Sequence, residues 1–244
     1  MDIPVDLVQY VLVFIIVFCG TLLQSSIGFG LGPLAVPLLV LINPDFIPGP
    51  LLLSALVLTS MMARRDHNSI HAQGVIWAIP GRLAGSVLGA AVLLVIPRES
   101  LSLLFGSMVV LAILISISGL HPRIAPWTIL TAAVFSGLMG TTSAIGGAPM
   151  GLIYQDQNGP KIRGTLSLIF VFGTTISLVS LLIIGRFTIS GFKLSLVLLP
   201  GILAGFWVSR KTAAFLDRGL IRPAILLVSG LAGIIVIIKS IYQT

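Results

Sequence analysis

Residues able to do chemistry are scarce in this sequence and gather at three places. Gln24-Ser25-Ser26-Ile27-Gly28-Phe29-Gly30-Leu31-Gly32-Pro33 and Thr141-Thr142-Ser143-Ala144-Ile145-Gly146-Gly147-Ala148-Pro149 are polar, glycine-rich interruptions of apolar runs, and Arg82 stands alone inside another run. In each interruption hydroxyls come first, then glycines, then a proline. Ser25, Ser26, Thr141, Thr142 and Ser143 can donate hydrogen bonds, and Gln24 can donate or accept. Gly28, Gly30, Gly146 and Gly147 let a helix stop and restart. Half-helices restarting at about Leu31 and Ala148 would aim unpaired amides and the positive ends of their dipoles inward, which favours an anion. The chemistry these residues suit is a ring of neutral donors around a small oxyanion.

Arg82 sharpens the reading. It lies nine residues past Gln73 and fourteen before Ile96, deep in a span, where an arginine is expensive and calls for a partner. No carboxylate stands at that depth: Asp2, Asp6, Asp45, Asp66, Glu99, Asp156 and Asp217 fall in loops or at run ends. Arg82 is therefore a candidate to attract or bind the anion; the plainer account is that it snorkels to an interface or caps backbone carbonyls. Glycines likewise serve close helix packing in membranes. Two breaks with the same order of residue types favour a site over packing alone.

Rival chemistries lack their residues. No Gly-Lys-Ser/Thr loop is present for ATP hydrolysis. His67, His71 and His121 sit in loops, which leaves a buried serine without a base and gives the four-residue spacing of His67 and His71 no acidic companions for a metal. The absence of mid-span carboxylates argues against a proton relay. The expectation is a protein that is not an enzyme and uses neither cofactor nor metal.

The elements that must position these groups follow from composition. With 57% hydrophobic and 9% charged residues over 244 positions, and a mean hydropathy of +1.14, the chain is far from a soluble domain, whose charged share is about 25%. Segments apolar on every side read as membrane helices, not barrel strands. The fold class expected is an all-α polytopic membrane protein of two inverted repeats, each a broken-helix hairpin followed by three spans. The first repeat covers 1–120, with the hairpin at about 7–42 and spans at 50–62, 74–96 and 101–120. The second covers 126–244, with the hairpin at about 127–154 and spans at 165–184, 194–208 and 220–238; the two make one membrane domain. Pro80-Gly81-Arg82-Leu83-Ala84-Gly85 returns as Pro200-Gly201-Ile202-Leu203-Ala204-Gly205, so the scaffold itself does not require the arginine. The break motifs align with Ser26 opposite Ser143 and Gly30 opposite Gly147.

An odd number of crossings per half inverts the second against the first. With the amino terminus outside, Arg64, Arg65, Arg123, Lys161, Arg163, Arg210, Lys211, Arg218 and Arg222 fall on the cytoplasmic face, and Arg98, Arg186, Lys193 and Lys239 on the outer face. That distribution fits the positive-inside rule, and it accounts for the net charge of +7 without nucleic acid. Trp77, Trp127, Tyr154 and Tyr242 near segment ends are expected as interfacial anchors. Asp2 and Asp6 stand where a secretory signal would be basic, so the first run is expected to remain as a membrane helix. Cys19, the one cysteine, is expected to pack within its run and excludes an internal disulfide.

The run from Gln24 through Pro33 to Leu34-Ala35-Val36-Pro37, with Gly137-Leu138-Met139-Gly140 leading into the second break and Arg163-Gly164-Thr165-Leu166 downstream, resembles the TauE/SafE family of sulfite and organosulfonate exporters. The likeness covers nearly the whole chain. It implies a secondary transporter in a prokaryotic cytoplasmic membrane that exports a small sulfur-containing oxyanion, such as sulfite or an organosulfonate. Alternating access at the two breaks is the mechanism expected, with a small anion and the bilayer as partners. An anion channel and a non-transporting scaffold or accessory subunit are the alternatives.

Overall fold

A computed structural model describes residues 7–216 and 221–243, with side chains described through 211 and from 226 to 242. The expectations resting on Asp2, Asp6, Asp217 and Arg218, and on the side chain of Arg222, lie outside these. Among the described residues the chain is helical throughout, without strands. In chain order come α1 (Leu7–Ile27), α2 (Leu31–Ile42), α3 (Gly49–Arg65), α4 (Ala72–Val95), α5 (Leu101–Ile117), α6 (Pro126–Ser143), α7 (Gly147–Tyr154), α8 (Gly159–Ile183), α9 (Ile189–Leu216) and α10 (Ile221–Gln243). Five segments, at α1, α4, α5, α8 and α9, are long and apolar enough to cross a membrane. The helices at α2 and α10 include shorter apolar stretches.

Helix ends differ from the sequence expectation where polar residues sit on a helix's first or last turn. Expected to begin at about 165, α8 starts at Gly159 because Asn158 accepts a hydrogen bond from Lys161 N at 3.0 Å and Pro160 suits an opening turn. Expected to stop at 62, α3 runs on to Arg65, its closing Arg64 and Arg65 complementing the negative end of the helix. Expected over 194–208, α9 runs from Ile189 to Leu216.

Two crossings organise the bundle, α4 on α6 and α1 on α9, and both are built on the repeated glycine segment. On α4, a Cβ at Gly81 would meet Ala133 Cβ at 2.8 Å and one at Gly85 would overlap Val134 O. On α9, a Cβ at Gly201 would meet Phe14 O at 3.0 Å and one at Gly205 Phe18 O at 2.8 Å. Backbones approach this closely only where side chains are absent. The partner positions along α1 and α6 set a register one residue from the motif alignment, placing Ser26 opposite Thr142.

The largest apolar cluster joins Val13 and Val17 of α1, Ala35 and Leu39 of α2, Leu58 and Met62 of α3 and Leu198 and Ile202 of α9. A second gathers Val75, Ala133, Met150, Tyr154 and Ile169, and a third Leu52, Leu93, Leu178 and Leu181. Leu7, Val95, Trp127, Ile183 and Tyr242 face outward. Two expectations change. Cys19 is exposed on the outer face of α1, because the packed side of that helix carries Val13, Val17, Gly20 and Thr21 instead. Tyr154 is fully buried, not an interfacial anchor, its hydroxyl reaching His71 Nδ1 at 3.3 Å over Gly74, which has no side chain to obstruct it.

Candidate transport site

The first break follows from glycine. Gly28 and Gly30 have φ of 99° and 141°, a region other residues avoid, so α1 ends at Ile27 and the chain turns before α2. The end of α1 is held from two sides: Arg65 Nη2 donates to Ser25 O at 2.7 Å and Arg163 Nη1 to Ser26 O at 3.1 Å. Cations at a helix C-terminus satisfy its free carbonyls and its dipole together. Asp66 ties the two arginines together, its Oδ2 lying 2.9 Å from Arg65 Nη2 and 3.5 Å from Arg163 Nε. Phe206 covers Arg65 with its ring centre at 5.5 Å. Where α2 restarts, Gln24 Oε1 accepts from Leu31 N at 3.2 Å.

The second break is made differently. Ala144 takes the left-handed conformation at φ 60°, its N–H bonded to Gly140 O at 2.8 Å, and α7 restarts at Gly147 with no side-chain cap. The two breaks touch. A Cβ on Gly32 would overlap Ala144 O, and Phe29 lies against Gly147 and Gly151.

Arg82 points between α6 and α8 and is only 2% exposed. Its Nη1 donates to Ser136 O at 2.5 Å and Ser136 Oγ at 2.9 Å, and that hydroxyl donates in turn to Gly146 O in the second break. Gly140, Gly146 and Gly173 surround the guanidinium, and a side chain on Gly173 would occupy its place. Nε is buried without a hydrogen-bond partner. The side chain does not snorkel outward; it binds one carbonyl and keeps a donor in reserve.

A cavity of about 40 Å³ lies where these elements meet, larger than the roughly 10–15 Å³ one water requires. Gln24, Gly30, Arg82, Gly146 and Gly147 line it together with Gly32, Gly140, Thr59, Thr174, Phe170 and leucines of α3. The remaining candidates stand back from it. Ser26, Thr142 and Ser143 return their hydroxyls to Leu22 O, Leu138 O and Met139 O within their own helices. Thr141 joins Ser177 at 2.8 Å, and Ser177 joins Ser86 at 3.2 Å. Ser25 Oγ is buried without a partner, and Gly28 lies against Ile162 and Arg163. Ser136 and Gly173 have no place in the sequence reading, and Gly140 enters it only as part of the lead into the second break. Ser136 and Gly140 share a face of α6 at a four-residue spacing, a signal that was available; Gly173 had none.

Outside the spans, His71 N donates to Thr165 Oγ1 at 2.9 Å, docking the α3–α4 connection on α8. Burial first, then the nearby charge of Lys161, holds the His71 imidazole below the usual histidine range. Among the described residues no group of histidines, cysteines and acids is arranged for a metal ion.

The family model for the sulfite exporter TauE/SafE matches residues 12–236. Comparison with curated proteins and with solved structures finds no match. The match runs from within α1 to within α10 and takes in both breaks and Arg82, and on that ground this multi-pass membrane protein belongs to the sulfite exporter TauE/SafE family, whose members are transporters and not enzymes.

Proposed function

We propose that this chain is a secondary transporter that exports a small sulfur-containing oxyanion, sulfite or an organosulfonate, across the cell membrane. The carrying observation is the single cavity lined by both helix breaks and by Arg82. Broken helices meeting at mid-depth are where carriers bind ions. The breaks with their flanking helices act as two hairpins of inverted repeats, the amino terminus outside. The matched use of Gly81 and Gly85 against α6, and of Gly201 and Gly205 against α1, supports that symmetry. Access alternates as one repeat moves against the other, driven by an ion gradient or by the substrate's own.

Flux into proteoliposomes tests the reading. Sulfite or a sulfonate should enter saturably and show counterflow, with Arg82→Gln slowing the flux at least about tenfold, as loss of a charge-assisted hydrogen bond would. Unsaturable flux would make the chain a channel, and no flux of any anion would make it a scaffold.

A further inference from the structure

The two breaks are not equivalent, and their difference locates the ligand more closely. In the first, Gln24 folds back to cap Leu31 N, so the opening amide of α2 is already taken by its own chain. The helix register that sets Phe14 opposite Leu130 sets Gln24 opposite Gly140. At Gly140 the missing side chain leaves space that the Arg82 guanidinium fills, since a Cβ there would lie 3.0 Å from Nη1 and 3.3 Å from Nη2. The position matching Arg82 in the other half is Ile202, fully buried in the apolar cluster. Cap and cation have thus been exchanged between the halves.

The second break is open by the same measure. No side chain caps the start of α7, an eight-residue helix, and because Pro149 has no N–H the opening amides on offer are those of Gly147 and Ala148. Arg82 reaches the same place, since a Cβ on Gly146 would lie 2.7 Å from its Nη1, and Arg82, Gly146 and Gly147 line one cavity; its Nε, buried and unpartnered, lies on the Gly173 side. Among the described residues Arg82 is the only charged one in that lining. A monoanion brings such a site to neutrality. A dianion would leave a net negative charge in a water-poor cavity, which is costly.

We propose that the second break alone seats the anion: the Arg82 guanidinium with the Gly147 and Ala148 amides takes a monoanionic oxyanion, hydrogensulfite or a sulfonate, in preference to sulfate, while Gln24 occupies the opening amide of the first break. This rests on the transport reading above.

Thermal unfolding of the purified full chain in detergent, with methanesulfonate, sulfite and sulfate as probes, tests it. Methanesulfonate should raise Tm saturably, and sulfate should do so with at least about tenfold weaker affinity. In Arg82→Gln the methanesulfonate affinity should fall at least about tenfold, while the ligand-free Tm stays level or rises because an uncompensated buried charge has gone. Gln24→Met should lower the ligand-free Tm and weaken methanesulfonate less than Arg82→Gln does. Arg82→Lys, which keeps the charge without the planar guanidinium, repeats the measurement if Arg82→Gln does not fold, with the same loss expected. If no anion stabilises the wild type, the transport reading itself fails. If the wild type responds but an Arg82 variant keeps its affinity, Gln24→Met loses more than Arg82→Gln, or sulfate matches methanesulfonate, this proposal fails and the transport reading stands.

Discussion

Gly85→Val should yield no folded protein, with detergent extracts expected to run as aggregate on size-exclusion chromatography and the wild type as one symmetric peak. The cause is local and has no soft neighbour to absorb it. A Cβ on Gly85 overlaps the Val134 carbonyl and presses on Gly137 Cα at 2.9 Å, so both obstacles are backbone. Relief requires α4 and α6 to separate along a main crossing of the bundle, and this also drags Arg82 from Ser136. Ordinary overpacking costs roughly 1–3 kcal/mol, and a clash that rotamer changes cannot relieve exceeds that. Gly230→Ala is the contrasting case, because its Cβ meets only Ile113 Cδ1 at 3.4 Å and Tm should hardly move.

Asp66→Ala should destabilise the protein by about 2–4 kcal/mol in denaturant titrations, the scale for breaking a mostly buried ion pair with some discount for partial exposure. The carboxylate sits between Arg65 and Arg163, with side-chain exposures of 12%, 19% and 10% respectively. Without it two guanidinium groups face each other beneath the end of α1. Their grip on Ser25 O and Ser26 O loosens, and the first break loses its support from α3 and α8. Asp66→Ala combined with Arg163→Met should recover part of the loss, since the double variant removes one of the unopposed charges.

The all-helical, multi-span character was legible because hydrophobic length and helix-breaking residues are written locally. Gly28 and Gly30 end α1 by their own backbone conformations, and the repeated Pro80-to-Gly85 segment marks the crossing it makes. Legibility ended where a contact joins residues far apart in the chain. Asp66 read as a loop acid because Ser26 and Arg163, which it organises through the two arginines, lie at distant positions. Hydroxyls at the breaks read as ligand donors, yet Ser26, Thr142 and Ser143 bond backward within their helices, an option every serine or threonine in a helix has. Arg82 stood out by depth alone. Nothing in its neighbourhood of the sequence foretold that Ser136 would hold it or that Gly173 would make room for it.

The lone charge of Arg82 also bears on the direction of transport. With the anion seated at Arg82 as proposed, the empty centre would carry one positive charge and the monoanion-filled centre none. The membrane potential therefore acts on the empty carrier and leaves the loaded one alone, with up to about 2.3 kcal/mol per 100 mV if the charge traverses the whole field. An interior-negative potential draws the empty centre toward the cytoplasm, where an exporter takes on its cargo. Sulfonate efflux from proteoliposomes should accordingly quicken when their interior is made negative, and voltage would supply the bias of the cycle without a carboxylate or a bound cation to carry it.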